Sequence, residues 1–84
     1  LDIVAEHKGE LIVVEVKTRR NQIYGTPEES ISEAKIRRIV SSADAYVRKF
    51  RIDLPVRFDI ISLTGIQSPL KIEHIINAFY PPIW

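Results

Sequence analysis

Apolar residues recur along this chain with two periods, and the switches between them divide it into short elements. Residues 1–6 alternate well enough for a strand. His7-Lys8-Gly9-Glu10 is a polar turn. Residues 11–17 form a second strand, β-branched and apolar on both faces, which predicts a central place in a sheet. Residues 18–25 make a polar, basic loop. A helix follows, with two candidate starts. Thr26-Pro27-Glu28-Glu29 offers an N-cap, a proline at the first helical position and a capping-box glutamate. Ser32-Glu33 is the alternative, and is favoured. From there Ile36, Ile39, Val40, Ala43, Tyr46, Val47 and Phe50 draw one stripe at helical spacing, ending near Arg51. Residues 56–63 predict a third strand, 64–69 a turn, and 71–76 a fourth strand at a sheet edge. An apolar tail closes the sequence, Phe79-Tyr80-Pro81-Pro82-Ile83-Trp84.

The order β-β-α-β-β specifies an α/β fold in one domain spanning residues 1–84. The unit from 11 to 63 should be a right-handed parallel crossover. One segment breaks the apolar pattern: Glu15-Val16-Lys17 sits at the end of the most hydrophobic strand. Glu15 and Lys17 are two residues apart, so they share a face, roughly 6–7 Å apart along the strand. If the first hairpin pairs residues whose numbers sum to 17, His7 meets Glu10 and Asp2 meets Glu15. Opposed side chains share a face about 5 Å apart, and two carboxylates so placed repel unless positive charge lies between them. Lys17 supplies some. A divalent cation would supply more: Mg²⁺ commonly takes one or two carboxylates together with waters and substrate phosphate. The simpler alternative is a carboxylate pair at a sheet edge with a lysine counterion.

Composition narrows the classes. The chain has 84 residues, 45% of them hydrophobic, which suits a small globular domain and not a disordered one. No apolar run is long enough to span a membrane, and no signal-peptide pattern is present. Cysteine is absent, which removes disulfides and thiolate metal sites and fits a cytoplasmic location. Methionine is absent too, so the native chain is expected to start upstream of Leu1. The net charge is only +1. Its distribution is uneven: residues 17–57 hold ten basic side chains against five acidic ones.

Asp2-Ile3-Val4-Ala5 followed by Leu11-Ile12-Val13-Val14-Glu15-Val16-Lys17-Thr18-Arg19 resembles the D…ExK core of restriction-endonuclease-like (PD-(D/E)XK) nucleases. The likeness extends through Tyr24-Gly25, Pro27-Glu28-Glu29, Ser32, Lys35 and Arg37-Arg38. It continues in Arg57-Phe58-Asp59-Ile60-Ile61, Ile72-Glu73-His74-Ile75 and Ala78-Phe79. This full set is similar to the bacterial YraN-like family. The resemblance implies a restriction-endonuclease-like mixed sheet, with an N-terminal helix and strand that this chain lacks. It also implies a Mg²⁺- or Mn²⁺-dependent nuclease acting on phosphodiester bonds, in DNA rather than RNA, with branched or flapped structures as candidate substrates. Asp2 and Glu15 would hold the metal and Lys17 would attend water and phosphate.

Lys35, Arg38 and Lys49 share one flank of the helical stripe, while Arg37 and Arg48 lie on the solvated side with Asp44. With Arg19 and Arg20, the first flank is expected to hold a phosphate backbone; the alternative is basic side chains snorkelling over the core edge. Arg19, Lys35 and Arg38 are the chosen contacts. His7 is expected in solvent, and neither His7 nor His74 has a companion at metal-ligand spacing. Asp59, two residues after Arg57, is expected to make a structural ion pair or a loop contact and not to serve as a ligand. Two other functions stay open. One is a non-catalytic nucleic-acid-binding or adaptor module that keeps a nuclease fold without its chemistry. The other is an assembly subunit, a homodimer built through the apolar tail and an unpaired strand edge.

Overall fold

The computed structural model describes residues 2–20 and 31–80. The elements run β1 (Ile3–His7), β2 (Glu10–Arg19), α1 (Glu33–Phe50), β3 (Val56–Thr64) and β4 (Lys71–Ile75). The four strands form one mixed sheet in the order β1-β2-β3-β4. β2 and β3 are parallel, and the outer pairs are antiparallel. A parallel pair needs a crossover, and α1 provides it. The β-β-α-β-β order, the central place of β2 and the edge place of β4 all follow the hydrophobic pattern.

Local chemistry sets the joints. Lys8 and Gly9 both take positive φ (49° and 78°), the geometry of a tight two-residue hairpin turn whose twist matches its flanking strands. That turn pairs His7 with Glu10 and fixes the sum-17 register along the hairpin, through Ile3 opposite Val14. α1 starts at Ser32, the favoured cap: its extended backbone lets Oγ accept from the Lys35 N–H at 3.1 Å. The competing start at Thr26 lies outside the described residues. At the other end Arg51 adopts a left-handed conformation, and the Ile52 N–H reaches back to the Val47 carbonyl at 3.0 Å.

The core lies between α1 and one face of the sheet. Val13, Phe58, Ile39 and Ala43 meet there, flanked by Val40, Val56 and Phe79. Phe79 stacks on Phe58 at 5.2 Å between centroids, so this part of the apolar tail packs on the sheet. Val13, Ile39 and Phe58, the large buried side chains of this core, each contribute about 1.5–3 kcal/mol on leaving water.

Two expectations need correction. β2 does not stop at Lys17: Thr18 and Arg19 continue it, paired with Leu63 and Thr64. The polarity of those residues suggested a loop, but at the end of a sheet the backbone ladder decides. Phe50 closes the helical stripe in the sequence yet is 56% exposed. It packs on its own helix, against Tyr46 at 4.8 Å and beneath the Lys49 ammonium. Among the described residues, no helix is long and apolar enough to cross a membrane.

Candidate functional site

The sheet register decides which polar side chains share a face. Odd positions of β2 point toward α1: Val13 is in the core, and Glu15, Lys17 and Arg19 follow it along the same side. The hairpin register, carried one step beyond Ile3, places Asp2 across from Glu15. Asp2 precedes β1 and is exposed, while Glu15 is buried. Asp2 also does something the sequence did not foretell. Its Oδ2 accepts from the Val16 N–H at 2.8 Å, satisfying a β2 donor beyond the last β1 pair.

Glu15 is therefore a carboxyl in a strained electrostatic position. Burial pushes its pKa above the ordinary value, and the neighbouring Asp2 carboxylate pushes it further, both through its charge and within hydrogen-bonding reach. Lys35, half-buried in the first turn of α1, opposes the rise. The crossover helix thus delivers one cation to the end of β2 while its apolar side covers the core.

The structure brings Asp2, Glu15 and Lys17 to one face, with Lys35 in electrostatic reach. Arg19 ends β2 on the same side, half-buried, its carbonyl accepting from the Gly65 N–H at 2.8 Å. Arg38 is different: it is exposed, and among the described residues it makes no ion pair. Arg37 and Arg48 are occupied by Glu33 and Asp44 one turn away, at 3.0 and 3.1 Å. Tyr24 and Gly25 lie outside the described residues.

A second polar cluster sits on the opposite face of the sheet. Asp59 is fully buried. Arg57 grips it with two hydrogen bonds of 2.9 Å, from Nε and Nη2. His74 Nε2 meets Oδ2 at 2.7 Å, and the Asn77 N–H donates to Oδ1 at 3.1 Å. Arg57 also reaches Glu10 at 3.4 Å. Burial alone would raise the Asp59 pKa, but the bonds from Arg57, His74 and Asn77 outweigh it and hold the carboxyl below its ordinary value. The ion pair with Arg57 is the structural one expected. The part of His74 was missed, because its partner is 15 residues away in sequence and is set only by the β3–β4 register. Ser62 was also missed; a lone serine in an apolar strand carries no motif.

These features define an α/β domain with a polar, acid-bearing site on the helix-covered face of a mixed sheet. The chain belongs to the uncharacterised protein family UPF0102, whose profile matches residues 1–63; this is the bacterial YraN-like family that the sequence resembles. It is 64% identical over 84 residues to a UPF0102 protein of Phocaeicola vulgatus, an alignment covering 100% of this chain and 69% of that relative. A UPF0102 protein of Bacteroides thetaiotaomicron is 52% identical over the same 84 residues, again covering 100% of this chain and 69% of the relative. UPF0102 protein FP2501 of Flavobacterium psychrophilum is 40% identical over 80 residues, covering 95% of this chain and 67% of that protein. These names state a family and no activity.

Proposed function

We propose that this domain is the core of a divalent-metal-dependent nuclease of the restriction-endonuclease-like kind, hydrolysing phosphodiester bonds in DNA. The observation that carries the reading is the Asp2–Glu15 pair, two carboxyls set across from each other by the hairpin register, one of them buried. Such a pair is unfavourable by itself. Its donor set fits Mg²⁺ or Mn²⁺, which take hard oxygen ligands and complete their shell with water and phosphate. Asp2 spends one oxygen on the Val16 N–H and keeps the other for the cation. When bound, the ion supplies Lewis-acid charge to the phosphodiester.

The chain's own residues would do the rest. Glu15 and Asp2 fix the position of the cation. Lys17, on the same face two residues from Glu15, would place its ammonium against charge building on the phosphate. Arg19 and Lys35 would hold neighbouring backbone phosphates, contacts that position a strand without reading its sequence. Arg38, being exposed, would join only at the outer margin.

The test uses the full-length protein with single-stranded, duplex, flapped and four-way-junction DNA, in Mg²⁺ or Mn²⁺ and in EDTA, beside Lys17→Ala. Metal-dependent cutting that the variant loses is the expected result. Salt-dependent binding that persists in EDTA and in Lys17→Ala, with no cutting of any substrate, would replace the nuclease by a binding or adaptor module.

A further inference from the structure

Ser62 lies on the helix-covered face of β3, fully buried, and its Oγ has no hydrogen-bond partner among the described residues. Buried hydroxyls are rarely left in that state, and each exception asks for a reason. The sheet register supplies one. Ser62 is the parallel partner of Lys17, and neighbouring strands run about 4.8 Å apart. Both side chains leave the same face. Lys17 is half-buried, and among the described residues none forms an ion pair with it. On its other side Ser62 is paired with Glu73 of β4. An ammonium only donates, a carboxylate only accepts, and a hydroxyl does both. Ser62 thus stands between a pure donor and a pure acceptor, one on each adjoining strand.

We infer that Ser62 is a positioning residue for Lys17: its Oγ accepts a hydrogen bond from the Lys17 ammonium and turns its own proton toward Glu73. The link holds the ammonium beside the Asp2–Glu15 pair. It closes by side-chain rotation, since the sheet already sets both backbones. Because Ser62 is fully buried, it acts through Lys17 and not on a substrate. Its catalytic consequence rests on the nuclease reading above; the link itself does not.

The experiment compares full-length wild type, Ser62→Ala and Ser62→Thr by three readouts: Tm, steady-state cleavage in Mg²⁺, and the ¹⁵N signal of the Lys17 ammonium with Mg²⁺ alone. Ser62→Ala loses these hydrogen bonds and should lower Tm by no more than a few degrees. Yet kcat should fall about tenfold with KM little changed, as for other groups that orient a reacting side chain. Ser62→Thr, which keeps the hydroxyl, should recover most of the rate. The Lys17 signal, slowed in exchange by its hydrogen bond, should weaken in Ser62→Ala and persist in Ser62→Thr. An unchanged Lys17 signal in Ser62→Ala overturns the inference, as does a fall in Tm that accounts for the lost rate. If wild type cuts nothing while the signal still depends on the hydroxyl, the nuclease reading falls and the link stands.

Discussion

Glu15 shows how much one residue can disclose. Its carboxyl is buried at the end of an apolar strand, beside Asp2, and its pKa lies above the ordinary 4.5. The folded state therefore holds the proton more tightly than the unfolded chain does. Stability is highest where both states are protonated, and it falls as pH rises from about 4.5 through the higher folded value. This is the reverse of a salt-bridged carboxylate. In EDTA, Glu15→Gln should raise Tm near neutral pH and change it little in acid, where the native side chain is already neutral. Thermal unfolding of both proteins across that range measures it; a variant less stable than wild type at neutral pH would mean the carboxylate is well accommodated. If the pair binds a divalent ion, Mg²⁺ should raise the Tm of wild type and move that of the variant much less.

At the scale of elements, α1 places Lys35 near Glu15 only because its first turn is fixed by Ser32. Ser32→Ala removes the bond to the Lys35 N–H and should cost about 1 kcal/mol. It should also loosen the turn that carries Lys35. Chemical denaturation reads the first effect; on the nuclease reading, weaker retention of duplex DNA reads the second. The cap, the stripe and the hairpin were legible in the sequence because each depends on residues within four or five positions of one another. The sum-17 register was legible for the same reason, and with it the meeting of Asp2 and Glu15. What escaped depended on distant pairing. Thr18 and Arg19 look like loop residues until β3 is placed beside them. Ser62 acquires a meaning only once Lys17 is its neighbour, 45 positions away. The Asp2 bond to the Val16 N–H was hidden because an aspartate offered as a ligand was not also weighed as a backbone acceptor.

Across the whole molecule, the two buried carboxyls, Glu15 and Asp59, lie on opposite faces of the sheet in opposite electrostatic settings. Glu15, on the helix-covered face, sits next to another carboxylate. Asp59, on the other, receives bonds from Arg57, His74 and the Asn77 N–H, and so ties β3 to β4 and to the turn beyond it. Through Arg57 the tie extends to Glu10 at the start of β2. Its pKa lies below the ordinary 3.8, so its contribution is complete above that value and is lost as pH falls through the lower folded one. A carboxylate so fully satisfied is a structural fastening, whereas the one held against its own kind is where the nuclease reading puts the cation. The two substitutions should therefore part in opposite directions. Asp59→Asn takes from the half-buried Arg57 the charged acceptor of two hydrogen bonds and should lower stability, while, on the nuclease reading proposed above, the protein that remains folded keeps its cutting. Glu15→Gln should keep or gain stability without metal and lose cutting. Denaturant midpoints, set beside cleavage rates corrected for the folded fraction, separate the cases. Loss of cutting in folded Asp59→Asn would show that the second face takes part in the chemistry and would end this division of the sheet.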